Sequence, residues 1–264
     1  MTIKNYLKNK SILITGAAGI LGIEHAIALI SAGAKVIMTD IDSKKLSIAK
    51  SQVVKKTGLK PHTYIMDITN PKSIRETKSI LKEKNIFIFA LINNAAIDHK
   101  VSKDGKNIIT NRIEEFDLNI FEEEVKVGLT GAILCSSIFG PEMAKKKDGV
   151  ILNIASDLSV ISPDQRLYMK KGIPRHKQKV KPVSYSVIKS GLIGLTRYLA
   201  TYWSQYNVRS NALSFGGVYD NQEERFVKNI EKLIPLGRMA KKYEYRGVIR
   251  FLCSDDAKYI NGQN

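Results

Sequence analysis

Short apolar runs alternate with longer segments of helical periodicity along most of this chain. The apolar runs predict buried strands at 11–15, 35–39, 62–66, 86–92, 149–154 and 208–213. The other periodic segments predict helices at 23–32, 43–57, 71–84, about 184–205, 221–233 and 242–253, and a long helical region over 112–147 with Gly128 and Gly131 as candidate interruptions. Strands and helices in this alternating order predict an α/β fold, in which helices cover both faces of a mostly parallel sheet.

The size and composition of the chain suit one domain. Its 264 residues are 44% hydrophobic, and no stretch has the composition of a linker. Such a chain can bury one large core, so residues 1–264 are predicted to form a single domain. Two stretches lack clear periodicity, a polar loop over 97–110 and an irregular segment over about 157–183.

The net charge of +17 could suit an anionic macromolecular partner. The basic residues are mostly scattered, however, and the motifs of nucleic-acid recognition are absent. The longest apolar run, 86–92, is too short to span a bilayer, and the lysine-rich residues 1–10 lack the apolar core of a signal peptide. We therefore predict no nucleic-acid partner, no membrane association and a cytoplasmic location.

Cysteine and histidine usage excludes two further classes of protein. Cys135 and Cys253 lie far apart in apolar segments, which predicts buried thiols in a reducing compartment rather than a disulfide. The histidines are dispersed along the chain, so we predict no metal site. A Gly-x-Ser-x-Gly motif, which would indicate a hydrolase, is also absent.

A glycine-rich turn connects the first predicted strand to the first helix. Gly16, Gly19 and Gly22 permit a tight turn and a close approach of a ligand to the backbone. The following helix N-terminus offers free N–H groups and a partial positive charge. This strand, turn and helix together predict a pyrophosphate-binding site.

Polar residues stand at the carboxyl ends of three predicted strands, namely Asp40, Asp67 and Asn93. In a parallel sheet such ends border the ligand crevice. Asp40 follows Gly22 by 18 residues, where a dinucleotide fold places the acid that accepts hydrogen bonds from ribose hydroxyls. Because a carboxylate repels a 2′-phosphate, the predicted cofactor is NAD rather than NADP. Lys44 and Lys45 follow closely, and their positive charge could weaken this discrimination against NADP.

Tyr185 and Lys189 are four residues apart on a predicted helix, so their side chains leave the same face. A nearby ammonium group favours the phenolate form of tyrosine. A phenol whose reference pKa is about 10 can thereby exchange protons closer to neutral pH. The pair predicts an acid–base centre, although this spacing also occurs by chance on helices that have no such function.

Together these features resemble the short-chain dehydrogenase/reductase family over essentially the full length of the chain. The motifs that carry the resemblance are Thr15-Gly16-x-x-Gly19-x-x-Gly22, Asp40, Asp67, Asn93-Asn94-Ala95, Ser156, Tyr185-x-x-x-Lys189, Asn211-Ala212-Leu213-Ser214 and Pro235-Leu236-Gly237-Arg238. The resemblance implies a doubly wound Rossmann fold and hydride transfer between a nicotinamide cofactor and an alcohol or ketone.

The resemblance also implies a role for each catalytic residue. Tyr185 is the acid or base, Lys189 lowers its pKa and holds the nicotinamide ribose, and Ser156 hydrogen-bonds the reacting oxygen. Ser159 is a nearby alternative to Ser156. The implied cofactor-binding residues are Gly16, Ala18, Gly19, Ile20, Leu21, Gly22, Asp40, Ile41, Asp67, Ile68, Asn94, Ala95, Ala96, Tyr185, Lys189, Gly216 and Val218.

Four features depart from the family pattern. The glycines are spaced G-x-x-G-x-x-G rather than G-x-x-x-G-x-G. Gly128 stands where the family usually has Asn, so it offers only a backbone carbonyl to a proton relay, and Phe215 stands where Pro usually precedes Gly216. The chain stops at Asn264, where a final strand would follow Gly262, so a truncated last strand is expected at the sheet edge.

Ser156 and Tyr185 are 29 residues apart, farther than in most of the family, which indicates an insertion. Between Gln165 and Pro182 this segment has seven basic residues and no acidic ones. Its ends are fixed at two catalytic residues, so we predict a basic cover over the substrate crevice, with Arg166, Lys170 and Lys171 binding an anionic substrate. A solvated loop whose charge follows the general composition is the alternative.

The insertion, Phe215-Gly216-Gly217 and Lys181-Pro182-Val183-Ser184-Tyr185 resemble oxidoreductases of flagellin-modification and nonulosonic (legionaminic-type) sugar pathways. This implies a phosphorylated or nucleotide-linked sugar as substrate. The alternatives are a 3-oxoacyl carrier-protein reductase, against which Asp40 argues, and a non-catalytic NAD-binding scaffold or regulator. By analogy with the family, a homodimer or homotetramer is expected through the helices at about 112–147 and 184–205.

Overall fold

Six parallel strands form one sheet in the computed structural model, which describes residues 6–97 and 111–264. In chain order they are β1 (Ser11–Ile14), β2 (Lys35–Asp40), β3 (His62–Ile65), β4 (Ala90–Asn93), β5 (Gly149–Ile154) and β6 (Val208–Leu213). The spatial order is β3-β2-β1-β4-β5-β6, with every neighbouring pair parallel. The predicted doubly wound α/β fold is confirmed. Strand order reverses between β1 and β4, and such a reversal opens a ligand crevice at the carboxyl ends.

Helices cover both faces of the sheet. The α-helices of the described residues are α1 (Ile20–Ile30), α2 (Ser43–Thr57), α3 (Pro71–Glu83), α4 (Leu118–Val125), α5 (Gly131–Lys146), α6 (Val183–Tyr202), α7 (Glu224–Glu231) and α8 (Arg246–Leu252). Alternate side chains of β1 point to opposite faces. Ile12 and Ile14 join a core with residues of α1, α2 and α8, whereas Leu13 joins a core with residues of α3, α5 and α6.

Local sequence signals explain several boundaries. Asp42 caps α2 by accepting the N–H of Lys45, and the helix ends at Gly58 in the left-handed region. Pro71 begins α3 behind the cap residue Asn70. The strand predicted at 86–92 begins at Ala90 in the structure, although the N–H of Phe89 already donates to the C=O of Ser11 at 2.9 Å.

The long helical region is interrupted where its glycines indicated. α4 ends at Val125, a π-helical turn spans Lys126–Thr130, and α5 begins at Gly131. The predicted interruption near Gly128 and Gly131 is therefore confirmed. Residues 98–110, most of the predicted polar loop, lie outside the described residues.

One helical stretch of the described chain, Leu118–Lys146, is long and apolar enough to cross a membrane by length and composition alone. Its most apolar window is 50% buried within the fold. Cys135, Phe139 and Met143 on this stretch belong to the core between the helices and the sheet. Burial in the core explains the apolar composition of this stretch.

Residues at the end of the chain lie along the outer edge of β6. The N–H of Gly262 donates to the C=O of Ser210, and the N–H of Ala212 donates to the C=O of Gln263, both at 2.8 Å. In the described part of the chain no strand lies beyond β6.

Candidate active site

A cavity of about 1410 Å³ opens where the strand order reverses. The predicted site residues that line it are Gly16, Ala18, Gly19, Ile20, Leu21, Asp40, Ile41, Asp67, Ile68, Asn94, Ala95, Ala96, Ser156, Tyr185, Lys189, Gly216 and Val218. The topology therefore brings loops from several strand ends and the start of α6 to one place.

The glycine turn after β1 forms one wall of the cavity. Gly16 has φ +59°, and a Cβ atom there would lie 2.6 Å from Cα of Ala95. Gly19 caps α1 without a side-chain hydrogen bond, and the first turn of α1 carries no acidic residue. An exposed backbone and an uncapped helix N-terminus fit a pyrophosphate.

Gly22 supports the turn instead of lining the cavity. A Cβ atom at Gly22 would lie 2.6 Å from the carbonyl oxygen of Gly16 and 2.7 Å from Cα of Ala17. Both neighbours are backbone atoms, so neither can move aside without changing the turn. The cofactor role predicted for Gly22 is therefore indirect in this structure.

The loop after β4 is hydrogen-bonded to the glycine turn. The Thr15 hydroxyl accepts the N–H groups of Asn94 at 3.1 Å and Ala95 at 3.2 Å. The Asn94 side-chain amide donates to the carbonyls of Thr15 and Gly16, both at 3.0 Å. These bonds fix the Asn94-Ala95 loop against the glycine turn.

Two carboxylates stand at neighbouring strand ends. Asp40 accepts the N–H of Ala18 at 3.0 Å and that of Asp42 at 3.1 Å. Asp67 accepts both the N–H and the hydroxyl of Thr69 at 2.8 Å. A carboxylate has about four acceptor positions, so Asp40 keeps capacity for a ribose hydroxyl.

Lys189 is buried behind Tyr185 on α6. Its ammonium group donates to the carbonyl of Ile154 at 2.7 Å and lies 5.8 Å from the centre of the Tyr185 ring. Burial, followed by repulsion from Lys181, lowers the pKa of Lys189 to about 8. The two residues share one side of the cavity, as the i, i+4 spacing predicted.

Ser156 begins a 3-10 turn directly after β5. Its hydroxyl donates to Oδ1 of Asp157 at 2.8 Å and accepts the N–H of Leu158 at 3.3 Å. The alternative residue, Ser159, does not line the cavity, and its hydroxyl pairs with that of Ser214 at 2.9 Å. The geometry favours Ser156, and it adds Asp157, which the sequence analysis did not identify.

The family departures at 128 and 215 are accommodated by neighbouring side chains. Gly128 is buried in the π-helical turn, and a Cβ atom there would lie 2.7 Å from Cγ2 of Ile188. Phe215 lines the cavity and stacks on Tyr245, with ring centres 3.9 Å apart. Each substituted position is therefore matched to a local partner.

The insertion is a folded element rather than an open loop. Buried Gln178 holds it together, because its side chain accepts the N–H of Lys170 at 2.7 Å and donates to the carbonyls of Lys170 at 2.7 Å and Ile173 at 2.6 Å. The insertion contacts α7 through the rings of Tyr168 and Phe226, whose centres are 5.5 Å apart.

The three basic residues predicted to bind an anion do not line the cavity. Arg166 forms an ion pair with Asp164 at 2.7 Å, and Lys170 forms one with Glu223 at 2.9 Å. Lys171 is exposed. Lys181 is the insertion lysine that lines the cavity, and its ammonium group lies 3.7 Å from the centre of the Tyr185 ring.

The cover of the cavity presents an apolar inner surface. Its residues come from the insertion and from the segment around α7, and they include Leu158, Ile161, Leu167, Tyr168, Phe226, Ile230, Leu233 and Leu236. The sequence had predicted a basic cover, and this apolar surface was not expected. The spacing of Phe226, Ile230 and Leu233 at helical intervals was the signal that could have indicated it.

The described residues contain no cluster of three or more histidine, cysteine or acidic side chains that could hold a metal ion. Among the same residues Cys135 and Cys253 are free and buried, as predicted. Burial raises the pKa of each thiol to about 12, which keeps both protonated and chemically inert at neutral pH.

Comparison with known proteins extends the geometric picture. Residues 16–264 match a protein-family profile described as enoyl-(acyl carrier protein) reductase. The 3-oxoacyl-(acyl-carrier-protein) reductase of Aquifex aeolicus is 30% identical over 97% of this chain and 95% of its own length. The post-translational flagellin modification protein A of Campylobacter coli is 28% identical over 97% of this chain and 96% of its own.

Solved structures share the fold. A 3-oxoacyl-(acyl-carrier protein) reductase from Brucella melitensis with bound NAD has a TM-score of 0.81 at 22% identity, covering 99% of this chain and 90% of its own. A gluconate 5-dehydrogenase from Burkholderia cenocepacia, in complex with NADP and tartrate, has a TM-score of 0.81 at 21% identity. The match covers 100% of this chain and 95% of that protein's chain. Both nicotinamide dinucleotides thus occur within this fold.

Proposed function

Because this chain belongs to the short-chain dehydrogenase/reductase family, we propose that it is an NAD-dependent oxidoreductase that interconverts an alcohol and a ketone on a small anionic substrate. The observation that carries the proposal is the convergence of Tyr185, Lys189 and Ser156 on one cavity with the glycine turn. A non-catalytic NAD-binding scaffold would leave this convergence unexplained.

The bound nicotinamide would accept the hydride of the alcohol carbon during oxidation and return it during reduction. Tyr185 takes the hydroxyl proton as the carbonyl forms and gives a proton back in the reverse direction. Lys189 favours the phenolate through its positive charge, and its bond to the carbonyl of Ile154 fixes the ammonium group near the ring.

Ser156 holds the reacting oxygen. In this structure its hydroxyl donates to Asp157 and accepts the N–H of Leu158. Rotation of its hydrogen toward the cavity lets Ser156 donate to the reacting oxygen, while the proton of a substrate hydroxyl goes to Tyr185. Asp157 is therefore proposed to control the direction in which Ser156 donates.

NAD is the proposed cofactor because Asp40 borders the cavity at the end of β2, where its carboxylate disfavours a 2′-phosphate. Gly16, Ala18, Gly19, Ile20 and Leu21 would hold the pyrophosphate. The other cavity-lining residues proposed to bind the cofactor are Ile41, Asp67, Ile68, Asn94, Ala95, Ala96, Gly216 and Val218.

The proposed substrate is a phosphorylated or nucleotide-linked sugar used in surface-glycan or flagellin modification. Lys126 and Lys181 line the cavity and are proposed to meet its negative charge, with Arg166, Lys170 and Lys171 acting from outside the lining. The Campylobacter coli relative supports this substrate class through its name alone.

A 3-oxoacyl thioester on a carrier protein is the second candidate substrate. The apolar inner surface of the cover favours it, since Leu167, Phe226 and Ile230 would suit an acyl chain. The Aquifex aeolicus relative supports it as well. The second class usually prefers NADP, but the Brucella melitensis reductase of this fold holds NAD, so turnover of the substrate separates the two candidates more directly than the cofactor does.

For assembly and location, we propose a homodimer or homotetramer in the cytoplasm. Exposed apolar residues on the predicted contact helices, including Ile133, Val187, Tyr198 and Tyr202, support an oligomer. The two buried, free thiols suit a reducing compartment.

The test is a screen of wild type and Tyr185→Phe for turnover with NAD⁺ and anionic sugars, and with NADPH and 3-oxoacyl thioesters. We expect NADH formation from one sugar class, reduced by roughly 10²- to 10⁴-fold in Tyr185→Phe while cofactor affinity stays within about twofold. Thioester reduction with a preference for NADPH would select the second candidate. Cofactor binding without turnover on any of these compounds would favour the scaffold.

A further inference from the structure

Two lysines from different parts of the fold lie near the ring of Tyr185. Lys189 comes from α6, with its ammonium group 5.8 Å from the ring centre. Lys181 comes from the insertion, with its ammonium group only 3.7 Å from the same centre. A cation this close to an aromatic face is attracted by the negative potential of that face.

The backbone around Lys181 is held at both ends. Its N–H donates to Oε1 of Gln165 at 2.8 Å, which ties it to the opposite end of the insertion. The next residue, Pro182, caps α6 and accepts the N–H of Tyr185 at 3.3 Å. The position of Lys181 relative to the ring is therefore set by the folded insertion and by the start of α6.

We propose that Lys181 is a second cationic positioning residue of the active site, which packs on the ring of Tyr185 and favours its phenolate. The proposal rests on the role of Tyr185 in the proposed function. It gives the insertion a part in proton transfer, in addition to covering the substrate.

The charge of Lys181 reaches both members of the catalytic pair. It is the second cause, after burial, of the lowered pKa of Lys189. Two cations that repel each other are both stabilised when a neutral phenol near them becomes a phenolate. Loss of Lys181 should therefore make ionisation of Tyr185 harder, even though Lys189 then holds its proton more tightly.

Other charged groups line the same cavity, and several have partners. Arg238 forms an ion pair with Glu244 at 2.6 Å, and Lys45 forms one with Asp42 at 3.2 Å. Asp164 pairs with Arg166, and the other charged lining residues are Asp40, Asp67, Glu123, Lys126 and Asp157. Among the described residues, the ammonium groups of Lys181 and Lys189 lie 3.7 Å and 5.8 Å from the centre of the Tyr185 ring.

The experiment is an NMR titration of the full chain labelled with ¹³Cζ-tyrosine, which follows phenol ionisation without substrate or cofactor. The chain has 11 tyrosines, and loss of one signal in Tyr185→Phe assigns the residue of interest. Lys181→Met and Lys181→Gln remove the charge, Lys181→Arg keeps it, and Lys177→Met removes an exposed lysine from the same insertion as a matched control.

We expect the midpoint of Tyr185 ionisation to rise by roughly half to one pH unit in both neutral variants. Lys181→Arg and Lys177→Met should leave it within the error of wild type. An unchanged midpoint in folded Lys181→Met or Lys181→Gln would overturn the proposal, as would an equal shift in Lys177→Met. Normal turnover by Tyr185→Phe would instead refute the proposed function, so the two failures are distinguishable.

Discussion

Ile188 occupies the space that a side chain on Gly128 would need, since a Cβ atom at Gly128 would lie 2.7 Å from Cγ2 of Ile188. A second contact runs in the opposite direction, because a Cβ atom at Gly191 would lie 2.8 Å from Cδ2 of Leu129. The π-helical turn and α6 are thus interlocked beside the catalytic pair. The absence of a side chain at Gly128 therefore makes room for Ile188, in addition to removing the asparagine that the family usually has at this position.

Gly128→Ala should destabilise the protein by about 1–3 kcal/mol, because β-branched Ile188 cannot easily move its methyl group away. Gly194→Ala on α6 is the matched control. Its Cβ would meet no atom within 4 Å, so it should stabilise the helix by about 0.5–1 kcal/mol. Urea unfolding of both variants measures the difference. Equal stability of Gly128→Ala and Gly194→Ala would contradict a close contact between position 128 and Ile188.

Adding Ile188→Ala to Gly128→Ala should recover part of the loss caused by the clash, with a coupling of about 1 kcal/mol or more. The double-mutant cycle also gives the cost of removing the Ile188 side chain from its buried position. Additive effects would contradict a direct contact between these two positions.

Asp40→Asn should relax cofactor selectivity, because the amide keeps one acceptor oxygen but no longer repels a 2′-phosphate. Removing the repulsion between the Asp40 carboxylate and the 2′-phosphate should make the free energy of NADPH binding more favourable by about 1–3 kcal/mol. This corresponds to a roughly 5- to 150-fold increase in NADPH affinity. Fluorescence titration with NADH and NADPH measures the change. A wild-type protein that binds NADPH as tightly as NADH would contradict the assigned role of Asp40.

Gln178→Ala should open the insertion, because it removes a buried side chain that bonds to two backbone carbonyls and one N–H. Losing these partners costs about 1–3 kcal/mol, so local opening should rise roughly 5- to 150-fold. Trypsin reports this directly, since the segment is rich in lysine and arginine. Exposed Gln52 on α2 supplies the control variant Gln52→Ala, and equal cleavage rates in the two variants would contradict the role of Gln178.

His25 should make the protein acid-sensitive. It is 1% exposed, neither ring nitrogen has a hydrogen-bond partner, and burial lowers its pKa to about 3. Between pH 6.5 and about 3 the unfolded chain binds a proton that the folded chain does not, so stability falls as the pH is lowered. The expected slope from this group is about 1.4 kcal/mol per pH unit.

His25→Leu should remove that slope, and urea unfolding at pH 7.5, 6.0 and 5.0 measures it. His176→Gln, at an exposed position in the insertion, is the matched control and should behave as wild type. The same loss of stability toward acid in His25→Leu and wild type would show that other groups, such as the carboxylates and His62, account for the pH dependence.

The sequence predicted the carboxyl ends of the strands well because a polar residue stands at that end, or within two residues of it, in every one of the six strands. Asp40, Asn94 and Ser156 are such residues, and a parallel sheet brings them together whatever the details of the loops. Gly22 was assigned to the cofactor because sequence spacing cannot distinguish a ligand contact from a contact with the backbone of Gly16.

The insertion was harder to predict because its partners are distant in sequence. Lys170 pairs with Glu223, and Tyr168 contacts Phe226, more than 50 residues further along the chain. A count of basic residues shows none of this pairing. In the sequence, Lys181 looks like the other lysines of the insertion. Only the structure shows that its ammonium group lies against the ring of Tyr185 at the start of α6.

The folded insertion has an evolutionary consequence. Among the described residues, Gln178 and Gln165 bond within the segment, and its contacts outside it include Glu223, Arg225 of α7 and Arg112, none of which lies in the sheet. Replacing or lengthening such a segment would leave the sheet intact while changing both the substrate wall and the charge beside the catalytic tyrosine. Substrate preference and the working pH of the enzyme could therefore change together, in a single genetic step.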